Sequence, residues 1–173
     1  VLMAGILGGA LALSGFLLQT FFSNPIAGPY VLGISSGAKM MVALAMIIFL
    51  KYYTLVSSYI LIIAAFIGSM LSIGFILLLA RKIRNMATLL VGGIMIGYIC
   101  SAVTDFVVTF AEDSDIVNLH GWSQGSFSGM SWSNVKVAAL MVGITLILTF
   151  FLSKPIGAYQ LGEMYAQSMG VNI

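Results

Sequence analysis

Residues 52–80 read YYTLVSSYILIIAAFIGSMLSIGFILLLA and run directly into Arg81-Lys82-Ile83-Arg84. The apolar stretch carries no charge, and at about 1.5 Å per residue it can cross a hydrocarbon core of about 30 Å even when tilted. The basic residues that close it mark an orientation, because Lys and Arg concentrate in short cytoplasmic loops. The rest of the composition agrees. Of 173 residues, 61% are hydrophobic and only 7% charged, with a mean hydropathy of +1.12, whereas an ordinary soluble domain carries roughly 25% charged residues. Seven basic and five acidic residues cannot cover a soluble protein of this size, so lipid must solvate most of its surface. The expected fold class is all-α, a polytopic transmembrane helix bundle.

Upstream, residues 1–38 are uncharged, but Asn24-Pro25 and Pro29 interrupt the run, since proline removes a backbone donor and restricts its predecessor. A first span over 2–22 and a second over 33–50 follow, the second short and carrying Lys39. Lys51 separates it from the third, over 52–80. Downstream, a fourth span covers 85–111, with Asp105 near its far end, and a fifth covers 137–152, ending before Lys154-Pro155. The external segment between them, 112–136, opens with Glu112, Asp113 and Asp115. Its part 116–134 is rich in Gly, Ser and Asn and too broken to span. That part reads as re-entrant or surface-lying, tolerable at membrane depth only under cover of protein or water.

Assigning the 81–84 turn to the cytoplasm puts the 23–32 turn and the tail, 154–173, there too. Lys51, the acidic cluster and the Gly/Ser segment then face outside; Lys51 and Lys136 run against the rule. The net charge of +2 is too small to suggest a nucleic-acid partner. A single cysteine, Cys100, excludes an internal disulfide framework. The start, Val1-Leu2-Met3, has no basic n-region, so the first apolar run is not read as a signal peptide, and the missing initiator Met points to a piece of a longer protein.

Few residues offer chemistry. Gly33-Ile34-Ser35-Ser36-Gly37-Ala38-Lys39 has the wrong spacing for a phosphate loop and opens an apolar helix rather than following a strand, so any ATP must be hydrolysed by another chain. Lys39 is the only basic residue inside a span. An intramembrane ionisable group is a functional hypothesis by default, but a place near the cytoplasmic end would let its stem snorkel to the interface. Asp105 lies some twenty residues into the fourth span, close enough to the outer interface to be wetted, and is open to the same two readings. His120 has no companion at metal-ligand spacing, Cys100 reads as a packed small residue, and the acidic trio lacks the pattern of a calcium loop. No nucleophile–base set or carboxylate pair can be assembled. The chain is therefore read as neither an enzyme nor a cofactor or metal carrier.

Small residues recur at packing distance in Gly5-x-x-x-Gly9, Ala64-x-x-x-Gly68-x-x-x-Ser72 and Gly93-x-x-x-Gly97, rows that let helices approach closely in lipid. In the tail, Leu161, Tyr165 and Met169 fall at i, i+4 and i+8 of a short helix ending at Gly170, an amphipathic element suited to a protein groove.

The order of motifs then resembles a known family. Gly8-Gly9-Ala10-Leu11-Ala12-Leu13-Ser14-Gly15, Gln19, Asn24-Pro25-Ile26-Ala27-Gly28-Pro29 and Leu32-Gly33-Ile34-Ser35-Ser36-Gly37-Ala38 lead the match. Leu89-Leu90-Val91-Gly92-Gly93, Trp122-Ser123-Gln124-Gly125-Ser126-Phe127-Ser128-Gly129 with Trp132, and Leu161-Gly162-Glu163 with Ala166 and Gly170 continue it. Together they resemble the FecCD-type permease subunits of iron-siderophore, haem and vitamin B12 ABC importers. The resemblance implies about half of a ten-span permease of the bacterial or archaeal cytoplasmic membrane. It also implies as partners a second permease copy or close paralogue, an ABC ATPase and an extracytoplasmic substrate-binding protein. By the same resemblance Leu161, Gly162, Glu163, Ala166, Met169 and Gly170 form cytoplasmic coupling helices. Asn85, Met86 and Ala87 sit at a cytoplasmic gate, the fourth span with Gly93, Gly97, Ser101, Thr104 and Asp105 lines the translocation path, and residues 116–134 match a short external helix. Lys39 departs from the family's small or apolar residues. The rival reading is a secondary transporter or channel, which would need Lys39 and Asp105 as its ion-coupling site.

Overall fold

The computed structural model describes residues 1–50, 58–83, 85–128 and 130–172. Lys51, the start of the third expected span at 52–57, Arg84, Gly129 and the side chain of Glu163 lie outside the described residues. All regular structure among the described residues is helical: α1 (Leu2–Phe22), α2 (Ile34–Leu50), α3 (Ser58–Ala80), α4 (Met86–Val108), α5 (Asp113–Gln124), α6 (Trp132–Phe151), α7 (Ser153–Gln160) and α8 (Glu163–Ser168). Four of them, α1, α3, α4 and α6, are long and apolar enough to cross a membrane, and α2 is a shorter apolar helix. The chain divides into two units, Pro29–Ser126 and the pair of segments Val1–Gly28 and Phe127–Ile173.

The unit Pro29–Ser126 is built on glycine contacts. Gly33 is left-handed, φ +72°, and a Cβ there would lie 2.6 Å from the backbone N and 2.8 Å from the Cα of Gly97, and 2.9 Å from the Gly93 carbonyl oxygen. Four residues on, Gly37 presses on Gly68, where a Cβ would stand 2.7 Å from the Gly68 carbonyl and collide with the Ser72 hydroxyl. Two of the three small-residue rows are thus helix contacts, whereas Gly5 and Gly9 face open space. Beyond the glycines, Val42, Ala43, Ala45, Met46, Ala64 and Leu119 close a core, with Val108 and Trp122 packed against it.

These contacts set the depth at which α2 begins. Gly97 lies eleven residues past Met86, roughly 16 Å along α4, and Gly33 touches it just before α2 starts. The second span therefore starts near the middle of α4, not at the membrane surface where the 23–32 break suggested a turn. It runs on beside α4, whose Val108 packs against the core to which Val42, Ala43, Ala45 and Met46 of α2 belong. At 17 residues it measures about 25 Å, short of a full crossing.

α5 accounts for the segment that could not span. Asp113 and Asp115 occupy its first turn, where negative charge meets the positive end of the helix dipole. Leu119 is its one buried residue, and Gln124 Nε2 donates to His120 Nε2 at 2.9 Å.

In the other unit, α1 stops at left-handed Ser23, φ 48°. The Ser23 and Asn24 N–H groups donate to the Thr20 and Gln19 carbonyls at 3.1 Å, which satisfies the orphan acceptors of the last turn. Asn24 Oδ1 then accepts from the Ile26 N–H at 2.9 Å, setting the turn around Pro25. α6 starts at Trp132, earlier than the expected Val137, because the Ser131 hydroxyl caps it by accepting from the Asn134 N–H at 3.3 Å. α1 packs against α6 and α7, and α7 against α8.

Candidate translocation and coupling sites

α4 presents two faces. Leu89, Leu90, Gly93, Ile96, Gly97, Cys100 and Thr104 form a buried stripe at the i, i+3, i+4 spacing of one helical face. Three residues expected to line a path are therefore packed inside the unit. Gly93 sits under Leu32, Gly97 under Gly33, and the Thr104 hydroxyl donates to the Cys100 carbonyl at 2.8 Å. Ser101 and Asp105, from the same expected set, are exposed, and with Val91, Met95, Tyr98 and Phe106 they lie on the open side of the helix. Glycine lets α2 approach here; it does not widen a channel.

The expected gate residues begin α4. Asn85 is its N-cap, with extended backbone and an Oδ1 that accepts from the Thr88 N–H at 3.1 Å; Met86 is half-buried and Ala87 exposed. Asn85→Ala should lower stability by about 1 kcal/mol, read as a small drop in the melting temperature of the full-length protein. Asn85→Ser should restore it, since serine also caps.

Where α2 begins, a cavity of about 540 Å³ opens, lined by Tyr30, Ser35, Ser36, Ala38, Lys39, Ser101, Trp122 and Ser123. Lys39 is exposed in it. Six residues beyond Gly33, it stands about 9 Å further from the Met86 end than the Gly33–Gly97 contact. This places Lys39 toward the far end of α4 and not beside its Met86 end, so a stem that snorkels would reach the other interface. Of these lining residues only Lys39 and Ser101 carry an expected role; Ser35, Ser36, Ala38, Trp122 and Ser123 enter the sequence reading as parts of motifs. The spacing of Ser35, Ser36 and Lys39, i+4 and i+3 to the lysine, already put them on one face; the approach of α4 and α5 has no local signal.

The tail holds two short helices, and the one expected to end at Gly170 is α8. Gly162, φ +114°, breaks it between α7 and α8, and Leu161 falls in the turn. Ala166 is fully buried, while Leu161, Met164, Tyr165 and Met169 are exposed. Gly170, φ +82°, closes α8: its N–H donates to the Gln167 carbonyl at 3.0 Å and the Val171 N–H to Ala166 at 3.0 Å, a Schellman pair. Gln160 Nε2 donates to Thr20 Oγ1 at 3.0 Å across 140 residues, tying α7 to α1. No sequence signal marks that bond.

Among the described residues no group of three His, Cys, Asp or Glu side chains converges to hold a metal. Known proteins are similar to the chain over nearly its whole length. The chain is 36% identical over 174 residues to the hemin transport system permease protein HmuU of Yersinia pestis, covering 100% of this chain and 52% of that one. It is 34% identical over 171 residues to the vitamin B12 import system permease protein BtuC of Vibrio parahaemolyticus, covering 98% and 50%. The chain thus spans about half the length of the curated relatives it matches. A solved structure described as a metal-chelate type ABC transporter in an inward-facing conformation superposes with a TM-score of 0.84 at 24% identity, over 99% of this chain and 53% of that one, a likeness of fold. The model of the FecCD transport family matches residues 1–173. With the bundle of apolar helices and glycine crossings, this match over the full length assigns the chain: it belongs to the FecCD transport family.

Proposed function

We propose that this chain is part of the membrane-spanning permease subunit of a binding-protein-dependent ABC importer. Its cargo is an iron-siderophore or a related metal-containing molecule such as haem or cobalamin, moved inward across a bacterial or archaeal cytoplasmic membrane. The observation that carries the reading is the family match over residues 1–173, and the names of the relatives support the cargo class. The chain acts as a transport subunit rather than a catalyst, and ATP is hydrolysed by a separate subunit. A second permease copy or close paralogue completes the pathway, and an extracytoplasmic binding protein delivers the cargo.

In this reading α7 and α8 couple the ATPase to the membrane. Their exposed Leu161, Met164 and Met169 suit a groove in a partner, with Glu163 and Gly162 at the start of α8. The Gln160–Thr20 bond gives movement of the tail a direct handle on α1. Ser101 and Asp105 line the path, Gly93, Gly97 and Thr104 support it from behind, and Asn85, Met86 and Ala87 gate it. ATP drives the exchange of outward- and inward-open states by favouring one arrangement of the coupling helices over the other.

Mass spectrometry of what co-purifies with the full-length protein from its native membrane, in mild detergent, tests this. A stoichiometric ATPase is expected, and its reproducible absence overturns the reading. Gly162→Val combined with Glu163→Ala should reduce ATPase recovery about tenfold and leave membrane insertion intact. Valine is strained at φ +114°, and α8 begins there. Full recovery would remove the tail from coupling.

A further inference from the structure

Tyr30 to Gly33 is non-helical backbone beside the middle of α4. At membrane depth such backbone is tolerated only where protein covers it or water reaches it. Leu32 and Gly33 are buried and meet the first condition. Tyr30 and, in the first turn of α2, Ser35 are exposed and line the 540 Å³ cavity with Ser36, Lys39 and Ser101, so water or a polar guest can reach this side of the helix start. The first-turn N–H groups of α2 have no acceptor within the helix and give this end a partial positive charge. Lys39, one turn further, adds a full one. No acidic side chain is among the residues that line the cavity. The cavity is open on one side, and its volume of about 540 Å³ gives room for a carboxylate arm and water beside it.

We propose that this cavity is a water-filled recess in which Lys39, the hydroxyls of Ser35, Ser36 and Ser101 and the first turn of α2 receive an anionic, carboxylate-bearing arm of the cargo. The nature of the guest rests on the importer reading above; the charge preference of the recess does not. Serine hydroxyls and the ammonium are all donors, matched to a carboxylate that only accepts. A half-depth helix start facing a polar cavity is also the arrangement by which broken membrane helices hold anionic groups.

The full-length protein in lipid nanodiscs, carrying Ser35→Cys on a background without other cysteines, provides the test. Position 35 is labelled with an anionic reagent, sulfonatoethyl methanethiosulfonate, or with its cationic trimethylammonium counterpart. The introduced thiolate attacks either reagent at its sulfenyl sulfur and displaces methanesulfinate, so any effect of Lys39 on thiol acidity cancels in the ratio of rates. Relative to a small free thiol, the ratio should favour the anionic reagent about tenfold. Lys39→Arg should keep that preference and Lys39→Gln should remove it. A ratio indifferent to Lys39→Gln overturns the recess, and so does a folded protein that reacts with neither reagent, because packed protein then fills the space. Iron(III)–EDTA, an anionic carboxylate chelate, should slow labelling at least fivefold more than the cationic iron(III) complex of desferrioxamine B. Equal protection, or none, overturns the carboxylate guest, while the importer reading is judged separately by whether the ATPase co-purifies.

Discussion

Gly33→Ala should leave the full-length protein unable to hold α2 against α4. Two penalties combine at this position. The left-handed backbone, φ +72°, disfavours any residue with a Cβ by about 1–2 kcal/mol. The new methyl would also lie within 3 Å of the backbone of Gly97 and the carbonyl of Gly93, atoms that cannot rotate aside as a side-chain tip can, and overpacking of that kind adds about 1–3 kcal/mol. The sum, about 2–5 kcal/mol, is a large part of the ~5–15 kcal/mol that holds a typical protein folded. The expected result is a melting temperature lower by about 10 °C and loss of the monodisperse peak in size-exclusion chromatography after mild solubilisation. Gly28→Ala and Gly74→Ala, where an added Cβ meets nothing within 4 Å, serve as controls and should behave as wild type. A wild-type melting temperature for Gly33→Ala would mean that α2 does not begin against Gly97.

The crossing of α2 and α3 should be nearly as sensitive. A Cβ on Gly68 would collide with the Gly37 carbonyl group, and one on Gly37 with the Ser72 hydroxyl and the Gly68 carbonyl. Either alanine substitution must push the helices apart, with an expected loss of about 1–3 kcal/mol. Because both act on one contact, their effects should not add: once Gly68→Ala has parted the helices, Gly37→Ala costs less than it does alone. A double-mutant cycle on thermal stability reads this directly, and strict additivity would show that the two glycines do not share a contact.

How much of this was legible in the sequence depends on the kind of force involved. Charge-free runs closed by Arg81 and Lys82, or by Asn24-Pro25, mark spans because lipid excludes charge and unpaired backbone, and the all-helical class follows from them. Depth is a different matter. A polar break such as 23–32 looks the same to a hydropathy argument whether it lies on the surface or is folded inward. Only the fit of Gly33 to Gly97, 64 positions away, reveals which. The resemblance that assigned Gly93 and Gly97 to a path names a helix and not the face it turns to a neighbour, and the small-residue row, read as packing, is the part that meets α2. In the tail Gly162 at φ +114° starts α8, which leaves Leu161, the first of the i, i+4, i+8 row, in the turn before it; periodicity carries no information about one glycine's dihedral angle. At α6 the lysine at 136 drew the expected boundary inward, although Ser131 was already in place as a cap.

The discontinuous unit also has a consequence for biogenesis. α1 packs with α6 and α7, yet the whole of Pro29–Ser126 is made between them. At about 5–20 residues per second, α1 resides in the bilayer for roughly 5–20 s before its partners exist, while the contiguous unit can assemble as it emerges. In that interval nascent α1 lacks the α6 and α7 against which it packs in the finished unit. Its uncharged sequence and the bare Gly5 and Gly9 face leave it free to pair with whatever helix is nearby in that interval, which makes timely closure by α6 a step that membrane-insertion chaperones would be expected to guard.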